Sequence, residues 1–162
     1  MADSILILGG GFVGLFTALH LRQLQCSCPV ILVDRSWSFV FKPLLYELLS
    51  SEVKLELICP TYDELLHNSG VTFVLGAVES IDLRQKQVQL NSGLQYSYRH
   101  LVMALGSTTG YLGTPGAEDH SFPFRAPDDV FALGQHLRNR LQLAAQTTAI
   151  AGANIAPSRP RA

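Results

Sequence analysis

No cysteine pair with redox spacing occurs in this chain, and it has no block of like charge and no long apolar run. Cys26, Cys28 and Cys59 are the only cysteines. An odd number cannot pair completely, and Cys26-Ser27-Cys28 has neither CxxC spacing nor zinc-type ligands beside it, so free thiols and no metal site are expected. No apolar stretch approaches the ~18 residues that span a bilayer. The first apolar run, Ile5 to Leu8, is not preceded by a cationic stretch and ends in glycine, which is not the pattern of a signal peptide, and a cytoplasmic location is expected. A formal charge of −1 leaves no electrostatic footprint for nucleic acid or an anionic membrane surface. His20, His67, His100, His120 and His136 are scattered, so no side chain stands out as a catalytic acid, base or nucleophile.

What the chain does have is glycine in a meaningful place. The apolar run Ile5-Leu6-Ile7-Leu8 passes directly into Gly9-Gly10-Gly11-Phe12-Val13-Gly14, a strand followed by GxGxxG. In a dinucleotide-binding fingerprint the first glycine (Gly9) permits the tight turn, the second (Gly11) lets a pyrophosphate approach bare backbone, and the third (Gly14) lets the following helix pack close to the strand. The start of that helix directs free N–H groups and a positive dipole end at the phosphates. A second apolar run, Val30 to Val33, ends at Asp34, where a carboxylate can accept the hydroxyls of an adenosine ribose. An acid there repels a 2′-phosphate, and Arg35 alone does not outweigh it. Between the strands, Val13, Phe16, Leu19 or His20, and Leu24 recur at helical spacing and predict the buried face, with Arg22, Gln23 and Gln25 left for solvent.

With 48% hydrophobic and 15% charged residues the chain reads as globular and long enough for one domain. Trp37 to Ser51 is apolar and aromatic around Pro43 and is either a cover over the ligand end of the sheet or a core-packing loop with a short helix. Pro60 to Leu66 predicts a short helix and Val71 to Leu75 a strand. Val78 to Asp82, Gln87 to Leu90 and Leu94 to Tyr98 predict an antiparallel meander. Leu101 to Leu105 is apolar enough for a strand buried on both faces, and it stops at Gly106. Ser107 to Asp128 reads as a loop. Asp128 or Asp129 then caps a helix with the stripe Val130, Leu133, Leu137, Leu141 and Ala144, and Ala149 to Gly152 starts like another strand.

Taken together, GGGFVGLFTALHL, the LVD ending at Asp34, FKPLLYELLS, YSYRHLVMALGS and YLGTPGAEDHSFPFR resemble the FAD-binding N-terminal part of type II NADH:quinone dehydrogenases, within the pyridine nucleotide-disulfide oxidoreductase-like flavoprotein superfamily. Disulfide reductases of that superfamily carry a redox-active cysteine pair soon after the second strand, where this chain has Pro43-Leu44-Leu45-Tyr46. The resemblance implies an α/β, Rossmann-like FAD-binding domain with a parallel sheet and an inserted antiparallel β-meander, incomplete at the C-terminus. It implies FAD as cofactor, held by Gly9, Gly11 and Gly14 at the pyrophosphate and by Asp34 at the adenosine ribose, with Phe12 and Arg35 as further cofactor-binding residues. Val78 would contact adenine through its backbone, Ala104 and Gly106 would flank the cofactor, and Lys42 and Pro43 would lie toward the flavin. The family reaction passes a hydride from NADH to the flavin and electrons on to a quinone. Its members continue into a second GxGxxG unit for NADH, which this sequence does not contain. Residues 1–148 are therefore expected to form the FAD-binding part, and 149–162 an aberrant or disordered tail where the NADH-binding domain would begin. The expected function is the FAD-binding portion of such an oxidoreductase, inactive alone; the alternatives are a noncatalytic nucleotide-binding fragment and a single-domain NAD-dependent dehydrogenase.

Overall fold

In the computed structural model of the chain, residues 3–153 are described. The chain divides into two compact units, Met1–Phe41 with Lys54–Gly110, and Lys42–Val53 with Tyr111–Ala162.

The first unit is built on a parallel sheet of β1 (Ile5–Leu8), β2 (Val30–Asp34), β3 (Val71–Leu75) and β7 (His100–Met103), in the order β3-β2-β1-β7. The chain steps from β1 to β2 and β3 on one side and returns to β7 on the other, which makes the carboxyl end of β1 a topological switch point. All four residues of β1 are buried, and their alternation divides two cores. Ile5 and Ile7 join Leu15, Ala18, Val30, Leu32, Phe39 and Tyr62 on one face. Leu6 and Leu8 join Val33 and, from the meander and its exit, Val88, Leu90 and Tyr98 on the other. The meander is the expected one: β4 (Val78–Asp82), β5 (Gln87–Leu90) and β6 (Gln95–Ser97), antiparallel throughout.

Helix α1 (Phe12–Gln23) forms where the fingerprint placed it, but with a different face inward. Gly14, Leu15 and Ala18 are buried, whereas Val13 is 66% and Leu24 77% exposed and Phe16 is also exposed. The cause is steric. A Cβ at Gly14 would occupy the same space as the carbonyl oxygen of Gly9, so residue 14 must face the turn, and that rotation carries Val13 outward. Arg22 is not left for solvent either; it is half-buried, with Nη1 donating to the carbonyl of Cys26 at 3.1 Å.

The short helices α3 (Leu55–Ile58) and α4 (Tyr62–Leu65) complete this unit. The cap of α4 is Thr61: its hydroxyl accepts from Glu64 N–H at 3.2 Å, and the Glu64 carboxylate accepts from Thr61 N–H at 2.9 Å. Those bonds from Thr61 hold the Glu64 carboxyl below its ordinary value of 4.5.

The second unit carries a 3-10 turn at Lys42–Leu44, then α2 (Leu45–Ser50) and the long α5 (Pro127–Ala153). Leu49 packs on Gly134 of α5. Asp129 reaches back to the N–H groups of Arg125 and Ala126 just ahead of the helix. Of the expected stripe only Val130 is buried and Leu133 half-buried; Leu137 and Leu141 are exposed. The strand expected at Ala149 to Gly152 is helix instead, up to Ala153. A strand needs a neighbour for its backbone N–H and C=O groups, while an alanine-rich segment satisfies them within a helix. Residues 154–162, most of the expected tail, lie outside the described residues.

Replacing the cap, Thr61→Ala, is expected to lower the unfolding free energy by about 1 kcal/mol in urea denaturation at neutral pH. The part of the cap contributed by Glu64 is present at neutral pH and is lost as pH falls through its lowered value.

Candidate functional site

The carboxyl ends of the four parallel strands enclose a cleft of about 560 Å³, wholly within the first unit. Gly9 borders it after β1, Val33 to Arg35 at the end of β2, and Gly76 to Val78 after β3. Leu105 to Thr108 closes it after β7. Five of the residues nominated from sequence meet here: Gly9, Asp34, Arg35, Val78 and Gly106.

The glycine turn is held by its neighbours. Gly9 has φ +96°, a conformation that side chains rarely tolerate, and a Cβ there would collide with the carbonyl of Ala104. Gly9 N–H donates to Val33 O at 2.7 Å and Ala104 N–H to Leu8 O at 2.8 Å, so the turn is tied to the ends of both flanking strands. Ala104 thus acts through its backbone on Gly9, and is not part of the cleft lining. Gly14 closes the helix onto the turn from behind. Gly11 is different. It is the N-cap of α1, with φ −63° and ψ −169°, and the space a Cβ would take is open, with nothing within 4 Å. Bare backbone therefore meets solvent at the start of a 12-residue helix.

Asp34 is tied to the turn. Its Oδ2 accepts from Gly10 N–H at 2.6 Å and its Oδ1 from Ser36 N–H at 2.8 Å. Two charge-assisted bonds fix the carboxylate plane while each oxygen keeps acceptor capacity for a ligand hydroxyl. Phe12, exposed in part, belongs to an aromatic group, stacked on Phe16 at 5.7 Å and edge-on to Phe39 at 5.2 Å. Lys42 and Pro43 stand on the 3-10 turn of the second unit and are not among the residues lining the cleft.

Gly10, Gly76, Ala77, Ser107 and Thr108 were not nominated from sequence. Gly76 and Ala77 follow β3 as Gly9 follows β1, and every carboxyl end of a doubly wound sheet borders the same crevice, so the strand assignment already contained that signal. Gly106, at φ +77° with open space around it, turns the chain after β7 into Ser107 and Thr108.

A match to pyridine nucleotide-disulphide oxidoreductases extends over residues 3–155. The chain belongs to this family. FAD is the cofactor of the family. The chain is 39% identical over 150 residues to the alternative NAD(P)H-ubiquinone oxidoreductase C1, chloroplastic/mitochondrial, of Arabidopsis thaliana, covering 82% of this chain and 29% of that protein. It is 39% identical over 155 residues to the demethylphylloquinone reductase NdbB of Synechocystis, covering 91% and 38%. Among solved structures, the sulfide:quinone oxidoreductase of Aquifex aeolicus superimposes with a TM-score of 0.78 at 28% identity, over 85% of this chain and 32% of that one. NDH2 of Plasmodium falciparum in complex with NADH has the same fold, with a TM-score of 0.75 at 18% identity over 90% and 30%. The chain thus spans about a third of the length of these pyridine nucleotide-disulphide oxidoreductase relatives. Cys26, Cys28 and Cys59 are free thiols. Among the described residues no group of histidine, cysteine and acidic side chains is placed to hold a metal, and no helix is long and apolar enough to cross a membrane.

The second and third fingerprint glycines separate by experiment. Gly14→Ala drives a methyl onto the Gly9 carbonyl and is expected to cost about 1–3 kcal/mol in urea denaturation. Gly11→Ala enters open space and loses only the N-cap preference for glycine, and is expected to stay within about 1 kcal/mol of the parent. Equal losses for the two variants contradict these assignments.

Proposed function

We propose that this chain is the FAD-binding part of an NAD(P)H:quinone oxidoreductase. One observation carries the reading: a backbone-lined helix N-terminus at Gly11 and a carboxylate at Asp34, joined by the Gly10 N–H, stand at the switch point of the sheet. That is the arrangement an adenosine diphosphate needs, with diphosphate on the helix end and ribose hydroxyls on the acid. When bound, FAD supplies hydride acceptance from a nicotinamide and electron release to a quinone.

The chain's own residues bind and orient. Gly11 admits the diphosphate to the first N–H groups of α1, and Asp34 accepts the ribose hydroxyls while its charge repels a 2′-phosphate. Val78 takes the adenine end, Arg35 lines the same cleft beside Asp34, and Gly106 leaves room on its β7 side. Quinone as electron acceptor is supported by relatives that are named as quinone reductases. The one glycine fingerprint of this sequence is assigned to FAD, and inactivity of these 162 residues by themselves towards NADH is part of the same proposal.

Purification with a search for co-eluting flavin absorbance, followed by FAD titration and an NADH:quinone assay, tests this. Bound flavin without turnover is expected, with FAD affinity falling about tenfold or more in Asp34→Ala. Turnover at enzymatic rates contradicts the assignment of a cofactor-holding part alone. Tight NADH binding with no flavin instead favours a single-domain NAD-dependent dehydrogenase.

A further inference from the structure

The fingerprint requires glycine at its first, third and sixth positions and leaves the second free, yet this chain places glycine there too, at residue 10. The reason lies 52 residues further along the chain. A Cβ at Gly10 would run into the hydroxyl of Tyr62 and lie 2.5 Å from Cζ and 2.8 Å from Cε1 of the same ring.

We propose that Tyr62 is a positioning residue of the nucleotide site: its phenol, seated on the backbone of Gly10, keeps the Gly10 N–H on Asp34 and so holds turn and ribose acid in register. The inference rests on the FAD reading above for its ligand, but its geometry belongs to the protein alone.

Tyr62 is built to stay where it is. It is 2% exposed, the first residue of α4 behind the Thr61–Glu64 cap. Its backbone N–H donates to Trp37 O at 3.1 Å, and its ring stacks on Phe73 of β3 with centroids 4.5 Å apart and planes 23° from parallel. Trp37 follows Asp34 by three residues and also contacts Phe73, so one aromatic group braces the Asp34–Ser36 turn and the face of Gly10. Burial, with the negative charge of Asp34 nearby, pushes the Tyr62 phenol well above its ordinary range, so the hydroxyl stays neutral next to the carboxylate. A phenolate there would repel Asp34. A neutral hydroxyl instead fills the space over Gly10 that no side chain at position 10 could share.

A tyrosine that merely filled the core would be replaceable by phenylalanine without consequence for the site. Tyr62→Phe keeps the ring, the Phe73 stack and the fold, and removes only the atom nearest the place a Cβ at residue 10 would take. The test compares parent and Tyr62→Phe in two measurements: FAD titration, and amide hydrogen exchange of Gly10 with the Ala104 N–H, bonded to Leu8 O, as internal reference. In Tyr62→Phe the FAD dissociation constant is expected to rise about three- to tenfold. Gly10 exchange is expected to quicken by a similar factor while Ala104 exchange is unchanged. A second pair of variants guards against misfolding: Gly10→Ala is expected to lose FAD binding, and Gly10→Ala combined with Tyr62→Ala to recover part of it, a non-additive coupling between the two positions. Parent-like FAD affinity and parent-like Gly10 exchange in Tyr62→Phe overturn the inference. So does a rise in Gly10 and Ala104 exchange together, which would mark a general loss of stability. A parent protein that binds no FAD overturns the cofactor reading, and Gly10 exchange alone then still decides the role of Tyr62.

Discussion

The carbonyl of Gly9 stands where a side chain at residue 14 would have to be, and the first unit is arranged around that contact. It brings the first turn of α1 down onto the end of β1, closer than any Cβ allows. The rotation of the helix follows, with Leu15 and Ala18 turned into the core formed by Ile5, Ile7 and Leu32. The open position at Gly11 follows as well, since the space a Cβ would take there has nothing within 4 Å. Gly9 itself is pinned between Val33 O and the carbonyl of Ala104, so the ends of β2 and β7 set the turn from both sides.

Asp34 connects this turn to the second strand. Its bonds to Gly10 and Ser36 make the acid part of the scaffold before any ligand arrives, so little side-chain entropy remains to be lost on binding. The meander serves the same end indirectly. By burying Val88, Leu90 and Tyr98 against Leu6 and Leu8 it covers the face of the sheet opposite α1, and Leu90 packs on Gly76 at the rim of the cleft. A strand as apolar on both sides as β1 could not stand in water without both layers.

Much of this was legible in the sequence. The strand, GxGxxG and terminal acid carry a fixed stereochemistry, Val71 to Leu75 follows from a β-branched run, and the three meander strands follow from alternation between turn residues. The face of α1 was not legible from hydropathy, because two of its three buried residues are small: Gly14 and Ala18 flank Leu15 on the buried side, while Val13, Phe16 and Leu24 are apolar and exposed. In α5 the same stripe argument failed beyond Leu133, since an apolar period says which residues share a face and not what covers it. The contact between Tyr62 and Gly10 joins elements far apart in sequence, and only tertiary structure brings them together. The place of Lys42 and Pro43 in a separate unit is likewise a matter of packing.

The central claim is that the acid-anchored glycine turn receives an adenosine diphosphate. Amide NMR of the isotope-labelled chain during titration with ADP addresses it without any assumption about the flavin or about turnover. The account predicts saturable shifts confined to Gly9 to Phe12, Asp34 to Ser36, Gly76 to Val78 and Gly106 to Thr108, and much weaker binding of the 2′-phosphorylated analogue. Shifts centred elsewhere, or equal affinity for the 2′-phosphate, would contradict it.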